Sequence, residues 1–205
     1  MFIRGLLLSA IFAVLVATGN PAVASGENAA RFIDQLGIQT IETLRAADLS
    51  RDQRNVRFRR LLARGFDIPL IGRFVLGRYW RGATPEQRVD FIALYGEFFL
   101  RTYTSRIGGF AGQAIVVTGA RQASAVDFIV RSRIQRSSGQ PFVADWRVRV
   151  TDGRYRVIDI MVDGVSMAIT QRSEFAAVAR RDGIDGLLAI LRQRTEAVSK
   201  TAFLN

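Results

Sequence analysis

The segment Val157-Ile158-Asp159-Ile160-Met161-Val162-Asp163-Gly164-Val165-Ser166 brings a serine to a place where it could do chemistry. A strand-like run ends in Asp-Gly, and the serine follows two residues after the glycine, where a helix could begin. That is most of the G-x-S-x-G elbow that presents a nucleophile on a strand-to-helix turn. The composition argues against a hydrolase. The last position of the motif is Ala168 rather than Gly, and the chain has no histidine to take the serine proton near neutral pH. The usual substitute base is lysine, but the single lysine is Lys200, close to the C-terminus, and no cysteine offers another nucleophile. Ser166 therefore reads as a helix N-cap, its oxygen accepting an otherwise unpaired backbone N–H.

Other catalytic equipment is sparse. Without His or Cys, metal ligands reduce to carboxylates, and these are too dispersed for a hard-cation loop. No glycine-rich phosphate loop follows a strand, and no pair of opposed carboxylates suggests glycoside hydrolysis. Asp159 is the best single candidate for a general base, because strand alternation groups it with Tyr155, Val157 and Met161. Its structural reading is a buried acid paired with an arginine. The expected site accordingly has no catalytic residue, no metal and no cofactor.

The elements that would position a site begin after a leader. Arg4, an apolar run from Gly5 to Ala17, the breaker Gly19-Asn20-Pro21 and the small residues Ala22-Val23-Ala24 form a secretory signal peptide over 1–24. Cleavage is expected between Ala24 and Ser25, releasing a soluble product into the periplasm. With no disulfide available, an apolar core must supply the stability. The chain carries 29 basic residues against 18 acidic ones, a net charge of +11, and all but one of the basic residues are arginine. The arginines are scattered and export removes nucleic-acid partners, so the charge points to anionic lipid surfaces or acidic proteins.

Periodicity predicts one domain over 25–205, with a helical lobe at 27–108, a sheet at 113–163 and C-terminal helices at 166–198. A first helix, about Glu27–Ala47, carries Phe32, Leu36, Thr40, Ile41 and Leu44 on one stripe. Ser50 caps a second, with Val56, Leu61, Leu62 and Phe66 apolar. Asp67 caps a third, running through Tyr79 and Trp80, with Pro69 in its first turn. Thr84-Pro85-Glu86-Gln87 is a capping box that opens a helix bearing Phe91, Leu94, Tyr95, Phe98, Phe99 and Tyr103, expected to continue to Ile107 and stop at Gly108-Gly109. About four antiparallel strands follow, wet on one side: Phe128, Val130 and Ile134 alternate with charge, as do Trp146, Val148 and Val150. Asp152-Gly153 marks a hairpin, and Gly183 separates two final helices. The order gives an α+β fold, a curved antiparallel sheet packed with helices.

Aromatic side chains on the long helix outnumber what one neighbouring helix requires. With the apolar sheet face they would converge on one space, suited to acyl chains, on the order of 1,000 Å³ for two of them. The expected lining is Phe74, Tyr79, Phe91, Tyr95 and Phe98 from helices, Phe128, Val130, Trp146, Val148 and Met161 from the sheet, and Val165 and Met167 beyond it. A headgroup would stay in water at the mouth, because burying a phosphate without partners is costly.

The stretches FDIPLIGRFVLGRYWRGATPEQRVDFIALYGEFFLRTY (66–103) and YRVIDIMVDGVSMAITQRSEF (155–175) resemble the MlaC family of periplasmic phospholipid-binding transport components. The ending AITQRSEF, with Gln171 where the main family has Tyr, is similar to the HpnM-like, hopanoid-associated branch. The resemblance implies a nuclear-transport-factor-2-like sheet with helices around a lipid cavity. It implies a phospholipid or hopanoid ligand and no enzymatic activity. Asp159, Gly164, Ser166 and Arg172 then correspond to structural positions of the family motif. Implied partners are an inner-membrane complex of MCE-domain ring, permease and ATPase, and an outer-membrane lipid complex. The chain itself would be a monomer with transient contact to membrane surfaces.

Overall fold

A computed structural model describes residues 25–104, 114–135 and 139–202. The signal peptide and the expected stop at Ile107 and Gly108-Gly109 lie outside the described residues. Helix α1 (Gly26–Arg45) starts at Ser25, whose Oγ accepts from the Asn28 N–H. Ser50 opens α2 (Arg51–Gly65) with a full capping box to Gln53, and the Asp67 carboxylate caps α3 (Ile68–Leu76) at the Leu70 N–H. The third helix stops at Gly77 instead of running on. Gly77 takes φ 59°, which favours glycine, and a Cβ there would lie 2.8 Å from Arg172 Nε. A single turn, α4 (Tyr79–Gly82), follows. The predicted Thr84–Gln87 box then closes reciprocally, at 3.0 and 3.2 Å, on α5 (Pro85–Thr104).

Two helix stripes differ from expectation. The interior stripe of α1 runs through Ala29, Ile33 and Gly37, and Phe32 sits at its margin. Gly37 belongs there because β1 passes close: a Cβ would lie 3.3 Å from Ile115 Cβ. On α2 the buried set is Phe58, Leu61, Leu62 and Gly65, spaced i, i+3, i+4, i+7, which leaves Val56 off the stripe and 48% exposed.

The sheet runs in chain order, all antiparallel: β1 (Ala114–Gln122), β2 (Asp127–Gln135), β3 (Phe142–Thr151), β4 (Arg154–Val162) and a two-residue β5 (Val165–Ser166). Both Asp-Gly pairs turn hairpins: Asp152 and Gly153 have φ 50° and 71°, Asp163 and Gly164 φ 48° and 84°. The opening motif is thus a hairpin whose short return strand feeds α6 (Met167–Ala202). Gly183, at φ 71°, breaks α6 into two helices as the sequence predicts. One sheet face is apolar and covered by helices, with Phe128, Val130, Val148 and Val157 essentially inaccessible. Ser132, buried on that face, is satisfied by Trp146 Nε1–H at 2.8 Å.

The opposite face carries charge in pairs. Asp127, its side chain only 2% exposed, accepts from Arg149 Nε at 2.6 Å and from Arg147 Nη2 at 2.8 Å. Hydrogen bonding from Arg149 foremost, then from Arg147, holds its carboxyl below the usual range despite burial. A lowered folded pKa contributes stability that is present above the unfolded pKa of about 4 and lost as pH falls through the folded one. Asp127→Asn, which leaves two guanidiniums facing each other, is expected to cost about 2 kcal/mol at pH 7. In urea unfolding at pH 7 and pH 3, the gap between wild type and variant should shrink at the lower pH. A constant gap would show that the ionised carboxylate is not the source.

Candidate functional site

The aromatic residues of α5 meet Phe175 of α6 and Phe66, at the end of α2, in one cluster. Phe91 and Tyr95 stack at 5.9 Å, and Phe175 stands edge-on to both at 6.1 and 6.2 Å. Phe99 tilts against Phe66 at 5.2 Å and Tyr103 at 4.7 Å. The cluster is continuous with the apolar face of the sheet. Its packing is tight. Where β4 meets α5 and α6, a cavity of about 20 Å³ remains among Phe66, Tyr95, Phe99, Asp159, Met167 and Gln171. A space for two acyl chains, on the order of 1,000 Å³, requires these layers to part.

Polar groups mark that junction. The Tyr95 hydroxyl donates to Gln171 Oε1 at 2.9 Å, and burial, followed by Tyr103 and Asp159, pushes the phenol well above its ordinary pKa. Asp159 is not paired with an arginine, as its sequence context suggested. Its Oδ2 accepts from the Ser166 hydroxyl at 2.6 Å and its Oδ1 from the Ala168 N–H at 3.0 Å. Ser166 Oγ in turn accepts from the Ile169 N–H at 3.0 Å, which makes it the N-cap of α6. The carboxylate and the hydroxyl, each weighed separately for chemistry, are both engaged in starting a helix. Arg172 lies on the other side of α6, its guanidinium 5.1 Å from the Phe74 ring centre.

The structure brings together part of the expected lining. Phe91, Tyr95, Phe128, Val130 and Val148 are buried in the shared core, Phe98 and Trp146 border it, and Met167 reaches the small cavity. Three others lie elsewhere. Phe74 is 42% exposed, because the third helix turns Ile71 and Val75 inward instead. Tyr79, by contrast, packs against the core like Phe98 and Trp146, its hydroxyl donating to Ala176 O at 3.4 Å. Val165, on the short β5 strand, is 55% exposed. Met161 pairs with Asp145, on the charged face, because a bulge between Arg147 and Val148 shifts the register. Ile160 takes its place opposite Trp146, so Val157 and Asp159 do not share a face. Phe66, Phe99, Ile160 and Phe175 complete the cluster. Phe175 carried a signal in its spacing, four residues from both Gln171 and Ala179.

Comparison with known proteins agrees with this geometry. The family model for MlaC protein matches residues 34–193. A protein of Haemophilus influenzae, the intermembrane phospholipid transport system binding protein MlaC, is 25% identical over 156 residues, which span 72% of this chain and 73% of that protein. The solved phospholipid-binding protein of Ralstonia solanacearum, in complex with a phospholipid, superposes with a TM-score of 0.72 at 24% identity, over 83% of this chain and 98% of that one. That likeness establishes a common fold.

The Asp159–Ser166 arrangement makes a stability prediction. Ser166→Ala and Asp159→Asn should each destabilise by roughly 1–2 kcal/mol. Because the two groups share one network, the double variant should lose less than the sum, by about 1 kcal/mol. Additive losses in denaturant unfolding would mean that the two side chains act independently.

Proposed function

The chain belongs to the MlaC family, and from that premise we propose that it is a periplasmic lipid carrier. It takes the acyl tails of a phospholipid between the helices and the apolar sheet face, and moves the lipid between the membranes. The observation that carries this reading is the single apolar cluster linking the α5 aromatics, Phe175 and the inner sheet face. The phospholipid bound to the Ralstonia solanacearum protein and the transport role named for the Haemophilus influenzae relative support it. The Asp159 carboxylate and Ser166 hydroxyl bond each other and the first turn of α6, so this reading needs no turnover. Its partners are an inner-membrane MCE-domain, permease and ATPase complex and an outer-membrane complex, with transient contact at the membrane surface. A hopanoid is the alternative cargo, motivated by Gln171, which stands at the junction where tails would enter.

Native mass spectrometry of the gently purified protein should show a one-to-one adduct of lipid mass, and extraction of that lipid distinguishes phospholipid from hopanoid. Protein that stays ligand-free after incubation with lipid vesicles would overturn the carrier reading. Val148→Asp, which puts an unpaired carboxylate into the fully buried sheet face, should abolish loading. Arg133→Glu on the charged face is the matched control and should load like wild type. Arg147 does not serve as that control, since it holds Asp127. Circular dichroism on both variants separates lost loading from lost fold.

A further inference from the structure

We propose that the arginine-lined cleft around Gly77 is a phosphate site that holds the headgroup of a glycerophospholipid outside the apolar interior. The inference rests on the lipid-carrier reading and adds to it a recognition site for the charged end of the cargo. Two adjoining hollows, of about 420 and 320 Å³, share Gly77, Arg78 and Arg172. Arg73 and Arg81 line the first and Arg180 the second; neither hollow is lined by a carboxylate.

Several arginines elsewhere are neutralised by carboxylates. Arg131 bonds Asp145, Arg147 and Arg149 share Asp127, and Arg59 and Arg101 share Glu97. Among the described residues, Arg73, Arg78, Arg81, Arg172 and Arg180 form no ion pair. Aromatic rings hold three of them in place: Arg172 over Phe74, Arg78 over Tyr79 at 5.0 Å and Arg73 over Trp80 at 5.8 Å. Stacking orients a guanidinium without cancelling its charge, so its N–H groups remain available to an oxyanion. Gathering like charges costs repulsion that an anion removes, and guanidinium–phosphate bonds are bidentate and charge-assisted.

The surroundings favour a lipid headgroup over inorganic phosphate. Leu70, the exposed Phe74 and Trp80 give the cleft an apolar wall that a free ion does not use. The cleft also backs directly onto the interior. Gln171 lines the small inner cavity and Arg172, the next residue, lines the cleft; on the third helix Ile71 faces in and Phe74 faces out. A lipid seated with its phosphate at Gly77 thus has its tails at the junction of α3 and α6, the edge of the apolar cluster.

The test compares dihexanoylphosphatidylcholine below its micellar concentration with dihexanoylglycerol, which has the same tails and no phosphate, by isothermal titration calorimetry. Wild type should bind the phospholipid at least about tenfold more tightly. The variant Arg73→Gln/Arg78→Gln/Arg81→Gln should lose that preference and still bind the diacylglycerol. A variant with equal charge loss on α2, Arg51→Gln/Arg57→Gln/Arg60→Gln, should keep it. Melting curves for both variants confirm the fold. Equal binding of the two lipids by wild type, or equal loss in both variants, overturns the headgroup site and leaves the carrier reading standing. Binding of neither lipid overturns both. Inorganic phosphate that binds at the cleft without any phospholipid preference marks a free-phosphate site and overturns the proposal.

Discussion

Strand β4 is tied to the helices by hydrogen bonds, and the closure of the apolar interior depends on those ties. At its near end the Asp67 N–H donates to Val157 O at 2.9 Å, and Phe66 bridges the same residue. Two residues further, the Asp159 carboxylate takes the Ser166 hydroxyl and the Ala168 N–H. One tie fixes the junction of α2 and α3, the other fixes the start of α6. Between them stand Phe66, Phe99, Phe175 and Tyr95, whose burial is the main gain of bringing the layers together. The polar ties decide which way the layers meet; the aromatic contacts supply most of the free energy. The bulge in β4 belongs to the same device. By shifting register after Val157 it sends Val157 and Ile160 inward and turns Asp159 toward the first turn of α6.

Charge is distributed by a comparable division of labour. The open face of the sheet is rich in arginine, yet Asp127 and Asp145 lock the central ones into a cross-strand lattice. Pairs of this kind fix register and keep the strand face soluble more than they attract distant partners. Around Gly77 three guanidiniums rest on rings and none on an acid, which gathers positive charge in that cleft. The same residue type is tied to carboxylates on the sheet face and free of them around Gly77. Only the neighbours distinguish them.

The local signals in the sequence were legible because their physics is local. Ser50, Asp67 and Thr84 cap helices within three residues, Asp152-Gly153 turns a hairpin, and Gly183 interrupts α6. Each answers to backbone hydrogen bonding or to φ at a single position. What escaped the sequence depends on contacts across long separations. The third helix stops at Gly77, whose positive φ leaves helical geometry while Arg172 packs where a side chain would stand. Phe74 faces out and Met161 leaves the apolar face because tertiary packing and a bulge override simple periodicity. The arginine partner expected for Asp159 was reasonable in so basic a chain, but Ser166 and the Ala168 N–H lie nearer and already satisfy the carboxylate.

For a lipid carrier, a closed interior determines how tightly cargo is held. Hiding about thirty methylenes at ~0.8 kcal/mol each amounts to roughly 24 kcal/mol. Non-covalent affinities saturate near 18–21 kcal/mol, and cargo held at that limit would leave on no useful timescale. A preformed apolar void would offer nearly the whole gross amount. A packed interior does not, because the tails must first replace contacts among Phe66, Tyr95, Phe99 and Phe175 and the sheet wall that the protein already makes. Lipid burial and interior closure then draw on the same apolar surface, and the net affinity is their difference. The tight packing around a cavity of about 20 Å³ is therefore compatible with carriage. It keeps aromatic surface out of water when no tail covers it, and it makes the net affinity for a tail smaller than the gross burial alone would give.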